Sequence, residues 1–330
     1  MRLVHLRLVL PLSACGLGLW LAAAEPSVTG LLRQTNGEVL LTSVADAGSY
    51  YRIETSENLS DWKALVTVRS TGNEQLLDVA APPLSRRVYR ALPLGGTNVF
   101  TGDHLSTGNG NAILRPIGHA SVAVSWNGRT LYSDPSDQNS NGPRFTGMPL
   151  ADVIVVTHTH SDHFSSTRLT ALLKADTVIF APQSVYTAMS STAPATLRSR
   201  TTVLANGATG SAHGMTVKAV PMYNMSNTNH PQGTGNGYVV TLGGKKIYFS
   251  GDTEDIPEMR ALTGIDAAFV CMSLPSNMTV DAAARAVRQF RPRMVFPYHF
   301  RQSTTTFDVA RFKMLVGTDL GIEVRQRTFY

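Results

Sequence analysis

Cysteine is nearly missing from this sequence, with Cys15 and Cys271 the only two in 330 residues. Charge is sparse as well, at 16% of residues, and the net +6 is spread without any Lys/Arg run. That distribution argues against a nucleic-acid-binding protein, which needs a basic stripe or patch. No apolar run reaches the roughly 20 residues a membrane-spanning helix requires, and no internal repeat points to a solenoid. What remains, at 43% hydrophobic, is a globular chain long enough for one large core and a smaller module.

The N-terminus belongs to neither. Arg2, His5 and Arg7 precede the apolar run from Leu8 to Leu21, and Ala22-Ala23-Ala24 offers a small-residue cleavage site before Glu25. Residues 1–24 therefore read as a secretory signal peptide, and the mature protein as exported, periplasmic or extracellular. An alternative is lipoprotein anchoring through Cys15, because Leu12-Ser13-Ala14-Cys15 resembles a bacterial lipoprotein signal. Removing residues 1–24 removes Arg2 and Arg7 and no acids, which takes the charge from +6 to +4. It also leaves Cys271 alone in Ala267-Ala268-Phe269-Val270-Cys271, a buried strand residue without a disulfide partner.

Residues 25–94 show short alternating stretches, among them Val39-Leu40-Leu41, Tyr50 to Ile53, Leu65 to Val68 and Val88 to Arg90, divided by Gly, Asn, Ser and Pro. No helical period competes, and the pattern predicts a small β-sandwich. Tyr51 to Glu54, Asn58 to Trp62 and Tyr89-Arg90 resemble the recurring strands and turn of β-sandwich modules attached to secreted bacterial proteins. The module holds no cluster of titratable groups, so it carries no chemistry; attachment to a cell surface or glycan is the role left to it. Trp62 is expected in its core. Residues 95–111, rich in Gly and Asn, read as a linker.

From Ala112 onward strands alternate with helices. Strands are expected at 112–117, 121–126, 130–133, 153–156, 177–180, 215–220, 237–242, 246–250, 267–271, 293–296 and 322–325. Helices are expected at 166–174, 256–262, 280–290 and 308–316. Such interleaving predicts an α/β domain over 112–330, with sheets covered by helices.

One stretch dominates it. The buried run Val153-Ile154-Val155-Val156 opens directly into Thr157-His158-Thr159-His160-Ser161-Asp162-His163. Neutral imidazole and ionised carboxylate are good ligands for zinc, iron or manganese, and their density here points to a metal site. Three further places carry chemistry. Tyr248 to Thr253 is an apolar strand ending in Gly251-Asp252-Thr253; Val295 to Phe300 is a buried strand ending on His299; and Asn224 to His230 lies in a loop followed by Gly233, Gly235 and Gly237. Taken singly these are a turn aspartate, a core histidine and a loop histidine; together with 158–163 they form a ligand set.

Their order resembles the metallo-β-lactamase superfamily, with its H-x-H-x-D-H motif, later His, bridging Asp and final His. The likeness covers 112–330. Gly118-His119-Ala120-Ser121, Asp134-Pro135, Tyr223-Asn224, His230-Pro231, Gly235 to Tyr238, Pro257-Glu258-Met259 and Pro297-Tyr298-His299 make it most similar to the branch of ascorbate phosphate lactonases and N-acylphosphatidylethanolamine phospholipase D. The resemblance implies an αββα sandwich preceded here by the small all-β module. It also implies two divalent metal ions, zinc in the first place and manganese or iron otherwise. His158, His160 and His230 would hold one and Asp162, His163 and His299 the other, with Asp252 shared. His119 and Asp134 are read as contacts to the substrate or to a ligand histidine, and His104 and His213 as surface or packing residues.

The expected activity is hydrolysis of an ester, lactone or phosphoester bond in a small-molecule substrate. A metal-bridging hydroxide would attack, with Asp162 as proton acceptor and His119 as the further catalytic residue. A bridging Asp252 argues against a true β-lactamase. The alternatives are a phosphodiesterase or nuclease of the same superfamily, and a secreted binding protein whose hydrolase domain is inactive. Arg291, Arg293, Arg301 and Arg325 could meet an anionic group of the substrate, although solvated surface charge is the simpler account.

Overall fold

The computed structural model describes residues 25–34, 38–78, 87–96, 99–138, 141–192, 194–302 and 305–329; the expected signal peptide, with Cys15, lies outside them. The chain begins with β1 (Ser27–Arg33), β2 (Val39–Val44), β3 (Tyr50–Ser56), β4 (Lys63–Arg69), β5 (Asn73–Asp78) and β6 (Val88–Leu94). One small sheet has the order β1-β2-β5, while β4, β3 and β6 pair in a second. Leu41, Tyr51, Ile53 and Val66 fill the space between them, and Ser43 Oγ meets the Tyr51 hydroxyl at 2.7 Å. Trp62 is not in this core. Its indole donates to the Leu59 carbonyl at 3.0 Å and lies 4.1 Å beneath the Arg90 guanidinium, which suits an amphipathic ring at a surface turn.

The stretch expected as a linker contains a strand, β7 (Gly102–Thr107), and the start of β8 (Gly110–Gly118). After them come β9 (Ser121–Trp126), β10 (Arg129–Ser133), β11 (Val153–Val155), α1 (Ser166–Leu172), β12 (Val178–Ala181), α2 (Gln183–Thr192), α3 (Ala195–Ser199) and β13 (Thr201–Val203). These strands form a sheet of order β13-β12-β11-β10-β9-β8-β7-β4-β3-β6, so half of the N-terminal sandwich continues the first sheet of the large domain. The seam is the pairing of Val66 with Asp103 and of Thr67 with Gly102, reinforced by Thr67 Oγ1 to His104 Nε2 at 2.8 Å and by Lys313 to Glu38 at 2.7 Å. Gly102 is required there: at φ +145° a Cβ would stand 2.3 Å from the Leu114 carbonyl oxygen. Glycine content suggested a linker; pairing of both neighbouring strands decided otherwise.

The second sheet comprises β14 (Thr209–Ala212), β15 (Met215–Met222), β16 (Gly235–Leu242), β17 (Lys245–Phe249), β18 (Ala267–Cys271), β19 (Met294–Tyr298) and, at its edge, β22 (Glu323–Val324), in the order β14-β15-β16-β17-β18-β19-β22. Between these strands run α4 (Pro257–Arg260), α5 (Val280–Phe290), the short pair β20 (Arg301–Gln302) and β21 (Thr305–Thr306), and α6 (Val309–Val316). The two large sheets face each other. Strand alternation sends Val122, Val124, Val153 and Val155 into one core with Val217, Val240 and Phe249, and sends Ala123, Ile154 and Ile179 into another with Leu169 of α1, Val185 of α2 and Leu197 of α3. Strands covered on both faces read as continuous apolar runs, which is why Val153 to Val156 has no polar break. On the far side of the second sheet, α5 lays down Ala283, Val287 and Phe290, and the Phe290 ring meets Tyr248 edge-on at 5.9 Å. Parallel register aligns Phe249, Phe269 and Phe296 across three strands as a stack with centroids 5.3 and 4.7 Å apart. The result is the expected αββα arrangement. No helix of the described residues is long and apolar enough to cross a membrane.

Candidate metal centre

Parallel pairing brings the chemistry together. Strands β10 and β11 run in one direction, as do β17, β18 and β19, so within each sheet the residues that follow these strands emerge at the same edge. Asp134, the 157–163 turn, Asp252, Ser273 and His299 follow them in turn, and His119 occupies the β8–β9 turn. His119, Asp134 and His299 all have left-handed backbone, with φ of +51°, +45° and +46°. Non-glycine residues held there cost on the order of 1–3 kcal/mol each, a strain concentrated at this edge. The turns are locked against each other: His299 N donates to the His119 carbonyl at 3.0 Å and His119 N to the Phe329 carbonyl at 3.2 Å.

The side chains form two clusters. In the first, His158 Nε2 and His230 Nε2 stand 3.0 and 3.2 Å from His160 Nδ1, close enough for all three nitrogens to reach one ion. In the second, Asp162 Oδ2 lies 3.4 Å from His299 Nε2 and 3.9 Å from His163 Nε2. Asp252 stands between them, with Oδ1 3.3 Å from His163 Nε2 and Oδ2 3.3 Å from His299 Nε2 and 3.5 Å from His230 Nε2. His119 joins the second cluster, its Nε2 2.9 Å from Asp162 Oδ2 and its ring centroid 3.8 Å from that of His299. The seven expected metal ligands and His119 are thus brought together, His230 included, although the 224–230 loop is remote in sequence from the rest.

The outer nitrogens of the histidines are bonded too. Asp134, fully buried, accepts from Thr157 N and Thr157 Oγ1 at 2.7 Å each and from His163 Nδ1 at 2.8 Å. With Nδ1–H committed to Asp134, Nε2 is the His163 nitrogen that faces Asp252, at 3.3 Å. Thr157 Oγ1 lies 3.0 Å from His158 Nδ1, and the Thr157 carbonyl accepts from Asn236 N of β16 at 2.9 Å, tying the histidine turn to the second sheet. Gly251 permits the adjacent turn at φ +60°, where a Cβ would meet Met222 Sδ at 2.5 Å. The sequence reading gave Thr157 and Ser273 no role because hydroxyls have no ligand signature. The available signal was positional, since β18 lies between two strands that both end in candidate ligands.

Electrostatics follow from burial and crowding. Burial, then the charge of His163, holds His158 well below the usual histidine range and keeps it neutral. Burial and the neighbouring His299 push His119 down to about 4. Burial disfavours a charged His163, yet Asp252, Asp162 and Asp134 together hold its pKa well above 6.5. Burial would also raise Asp162 and Asp252, but surrounding histidines outweigh it and both carboxyls stay ionised. Buried carboxylates converging on one point need a cation there. His163 Nε2, Asp252 Oδ1 and His299 Nε2 are buried without a hydrogen-bond partner, and all three face the gap between the clusters. Imidazole and carboxylate atoms in that arrangement fit divalent cations.

Outside this centre the readings diverge. Arg325, considered for an anionic substrate, is buried against Asp103 at 3.4 Å and Glu323 at 2.6 Å and serves the fold. His213 gathers with Asp152 and Asp176, but Arg129 and Lys174 neutralise Asp152 at 2.7 and 2.6 Å, which makes the group an ion-pair network.

Residues 114–299 match the family described as the beta-lactamase superfamily domain. The chain is 30% identical over 194 residues to a UPF0173 metal-dependent hydrolase of Thermus thermophilus, spanning 57% of this chain and 83% of that protein. It is 32% identical over 218 residues to one of Thermoplasma acidophilum, spanning 60% and 92%. Among solved structures, a protein named as a metal-dependent hydrolase from Parabacteroides distasonis aligns at 35% identity and TM-score 0.60 over 69% of this chain and 99% of its own. The metallo hydrolase Igni18 of Ignicoccus hospitalis, at 21% identity and TM-score 0.54 over 65% and 94%, shares the fold.

Proposed function

The chain belongs to the beta-lactamase superfamily domain family and is a metal-dependent hydrolase, and from that premise we propose that it uses two divalent cations to cleave an ester, lactone or phosphoester bond in a small molecule. The observation supporting this is the set of inward atoms without partners, His163 Nε2, Asp252 Oδ1 and His299 Nε2, at the junction of two clusters. His158, His160 and His230 would hold one ion and Asp162, His163 and His299 the other, with Asp252 reaching both. Zinc suits this nitrogen-rich set, and manganese or iron are compatible. When bound, such a pair supplies a water acidic enough to attack at neutral pH and positive charge for the developing oxyanion.

The chain's own groups do the rest. His158, His163, Asp252 and His299 line a dry floor, while His160 and Ser161 are exposed, so a substrate would enter on their side. His119, His163 and His299 approach Asp162 at Oδ2, which orients the carboxylate. Its side chain is 30% exposed, leaving Oδ1 to receive the proton of the attacking water and pass it to the leaving group. His119, held down to about 4, is neutral at pH 7 and steadies Asp162 without competing for that proton. Export is a further part of the proposal, resting on residues 1–24, and cell fractionation of the native host tests it. The main test is to purify the chain, count metal ions per molecule, and assay panels of esters, lactones and phosphodiesters. A protein that retains no metal and hydrolyses none of them would overturn the reading.

A further inference from the structure

A single loop supports one histidine in each cluster. It follows β18 and runs from Ser273 to Asn277, both fully buried. Asn277 N donates to the Ser273 carbonyl at 2.8 Å, and Asn277 Oδ1 accepts from Ser273 N and, at 3.2 Å, from the Ser273 hydroxyl. That hydroxyl has one proton. Once Asn277 accepts it, the Ser273 oxygen presents a lone pair to His299 Nδ1, 2.9 Å away. The same loop reaches the other cluster through its backbone. The Ser276 carbonyl accepts from Asn224 Nδ2 at 2.7 Å, and the same amide lies 3.2 Å from His230 Nδ1, on the side of the ring away from Nε2, which is turned toward His160. The Pro275 carbonyl accepts from Asn227 Nδ2 at 3.2 Å, so the loop is fastened to the segment that carries His230.

We propose that the 273–277 loop is the shared positioning element of the two clusters. Ser273, braced by Asn277, holds a proton on Nδ1 of His299 so that its Nε2 points inward, while the Ser276 and Pro275 carbonyls anchor Asn224 and Asn227 and so place the segment that carries His230. Neither Ser273 nor Asn277 touches the reacting atoms. Their effect is on which nitrogen is available and where it points, and for the cations themselves the inference rests on the two-metal reading above. The arrangement also couples the sites, because a displacement of one loop misaligns a histidine in each.

The test uses full-length protein labelled with nitrogen-15 at histidine, with Ser273→Ala, Ser273→Thr and Asn277→Ala beside the parent. Long-range proton–nitrogen spectra of metal-free samples report whether Nδ1 of His299 carries a hydrogen-bonded, slowly exchanging proton. The parent and Ser273→Thr should show it, Ser273→Ala and Asn277→Ala should lose its protection, and the His230 ring signals should stay unchanged in Ser273→Ala. Zinc titrated against a chelator should then bind about 10- to 100-fold more weakly at one of two sites in Ser273→Ala, with recovery in Ser273→Thr. A bare Nδ1 on His299 in the parent, or unchanged exchange in folded Ser273→Ala, would overturn the inference. If the protons behave as described but the parent binds no zinc, the positioning role stands and the two-metal reading falls. Should an alanine variant fail to fold, the parent and Ser273→Thr spectra still decide.

Discussion

Replacing Asp134 by Asn tests the proton position on His163. The buried carboxylate takes three hydrogen bonds, at 2.7 Å from Thr157 N, 2.7 Å from Thr157 Oγ1 and 2.8 Å from His163 Nδ1. Asparagine tolerates the left-handed backbone at φ +45°, so the turn itself is not strained by the change. Its oxygen can still accept from Thr157 N and its amide can donate to Thr157 Oγ1. The amide then also faces His163 Nδ1, which can accept only by moving its proton to Nε2, the nitrogen that faces Asp252. A hydrogen bond to a charged group contributes about 1.5–3 kcal/mol. One such bond is lost and two are weakened to neutral ones by about 1 kcal/mol each, so a loss of about 3.5–5 kcal/mol in metal-free stability is expected. Blocking Nε2 adds a second effect, about 10- to 100-fold in metal affinity. Urea unfolding of metal-free protein measures the first, and zinc competition against a chelator the second. Asp134→Ala, which loses all three bonds without supplying a donor, should unfold more readily than Asp134→Asn. Wild-type zinc affinity in a folded Asp134→Asn protein would refute the reasoning, since the outer bond would then not set which His163 nitrogen is free.

Three other outcomes follow from the geometry. His104 is held at about 4 by burial, then by Arg52, so the unfolded chain binds more protons between pH 4 and 6.5 and stability must fall as pH falls through that window. At pH 5 the loss is about 2 kcal/mol, and the stability difference between the parent and His104→Gln in urea should shrink by that amount between pH 7 and 5. Gly251→Ala places a Cβ at φ +60° within 2.5 Å of Met222 Sδ and 3.1 Å of Thr157 Cβ. It should destabilise by about 2–4 kcal/mol and lower zinc stoichiometry, and an unchanged melt would contradict the packing described. Removing the N-terminal sandwich by starting the chain at residue 95 uncovers the β7 backbone that pairs with β4 at Gly102 and Asp103. An open edge of that kind should self-associate, which size-exclusion chromatography with light scattering detects, and a monomer of undiminished stability would show that the seam is dispensable.

Legibility followed periodicity and chemical identity. Strands buried on both faces, such as β11 and β18, and the amphipathic α5 stood out because their patterns have one interpretation. The edge strands β1 and β5 and the helices α2 and α3 did not, since their exposed faces dilute the period. Residues 95–111 misled for a related reason: glycine and asparagine signal turns locally, and nothing local records that β4 and β8 lie on either side of β7. Trp62 and Arg325 were misjudged because ring or charge alone does not say whether Arg90 or Asp103 is the neighbour.

His158 to His163, with Asp252 and His299 at strand ends, determined by themselves that a cation-binding site was at hand, because that density of imidazole and carboxylate has few other uses. That the domain is a hydrolase followed from the resemblance of their order to the superfamily's motif. Tertiary structure decided what spacing along a chain cannot hold. It set His230 beside His160 across 70 residues, turned Asp252 between two clusters, brought His119 onto Asp162, and laid Ser273 and Asp134 behind the histidines. The physical reason is that ligand type is a property of a side chain, whereas the protonated nitrogen and the direction of a lone pair belong to the neighbours that strand order and register supply.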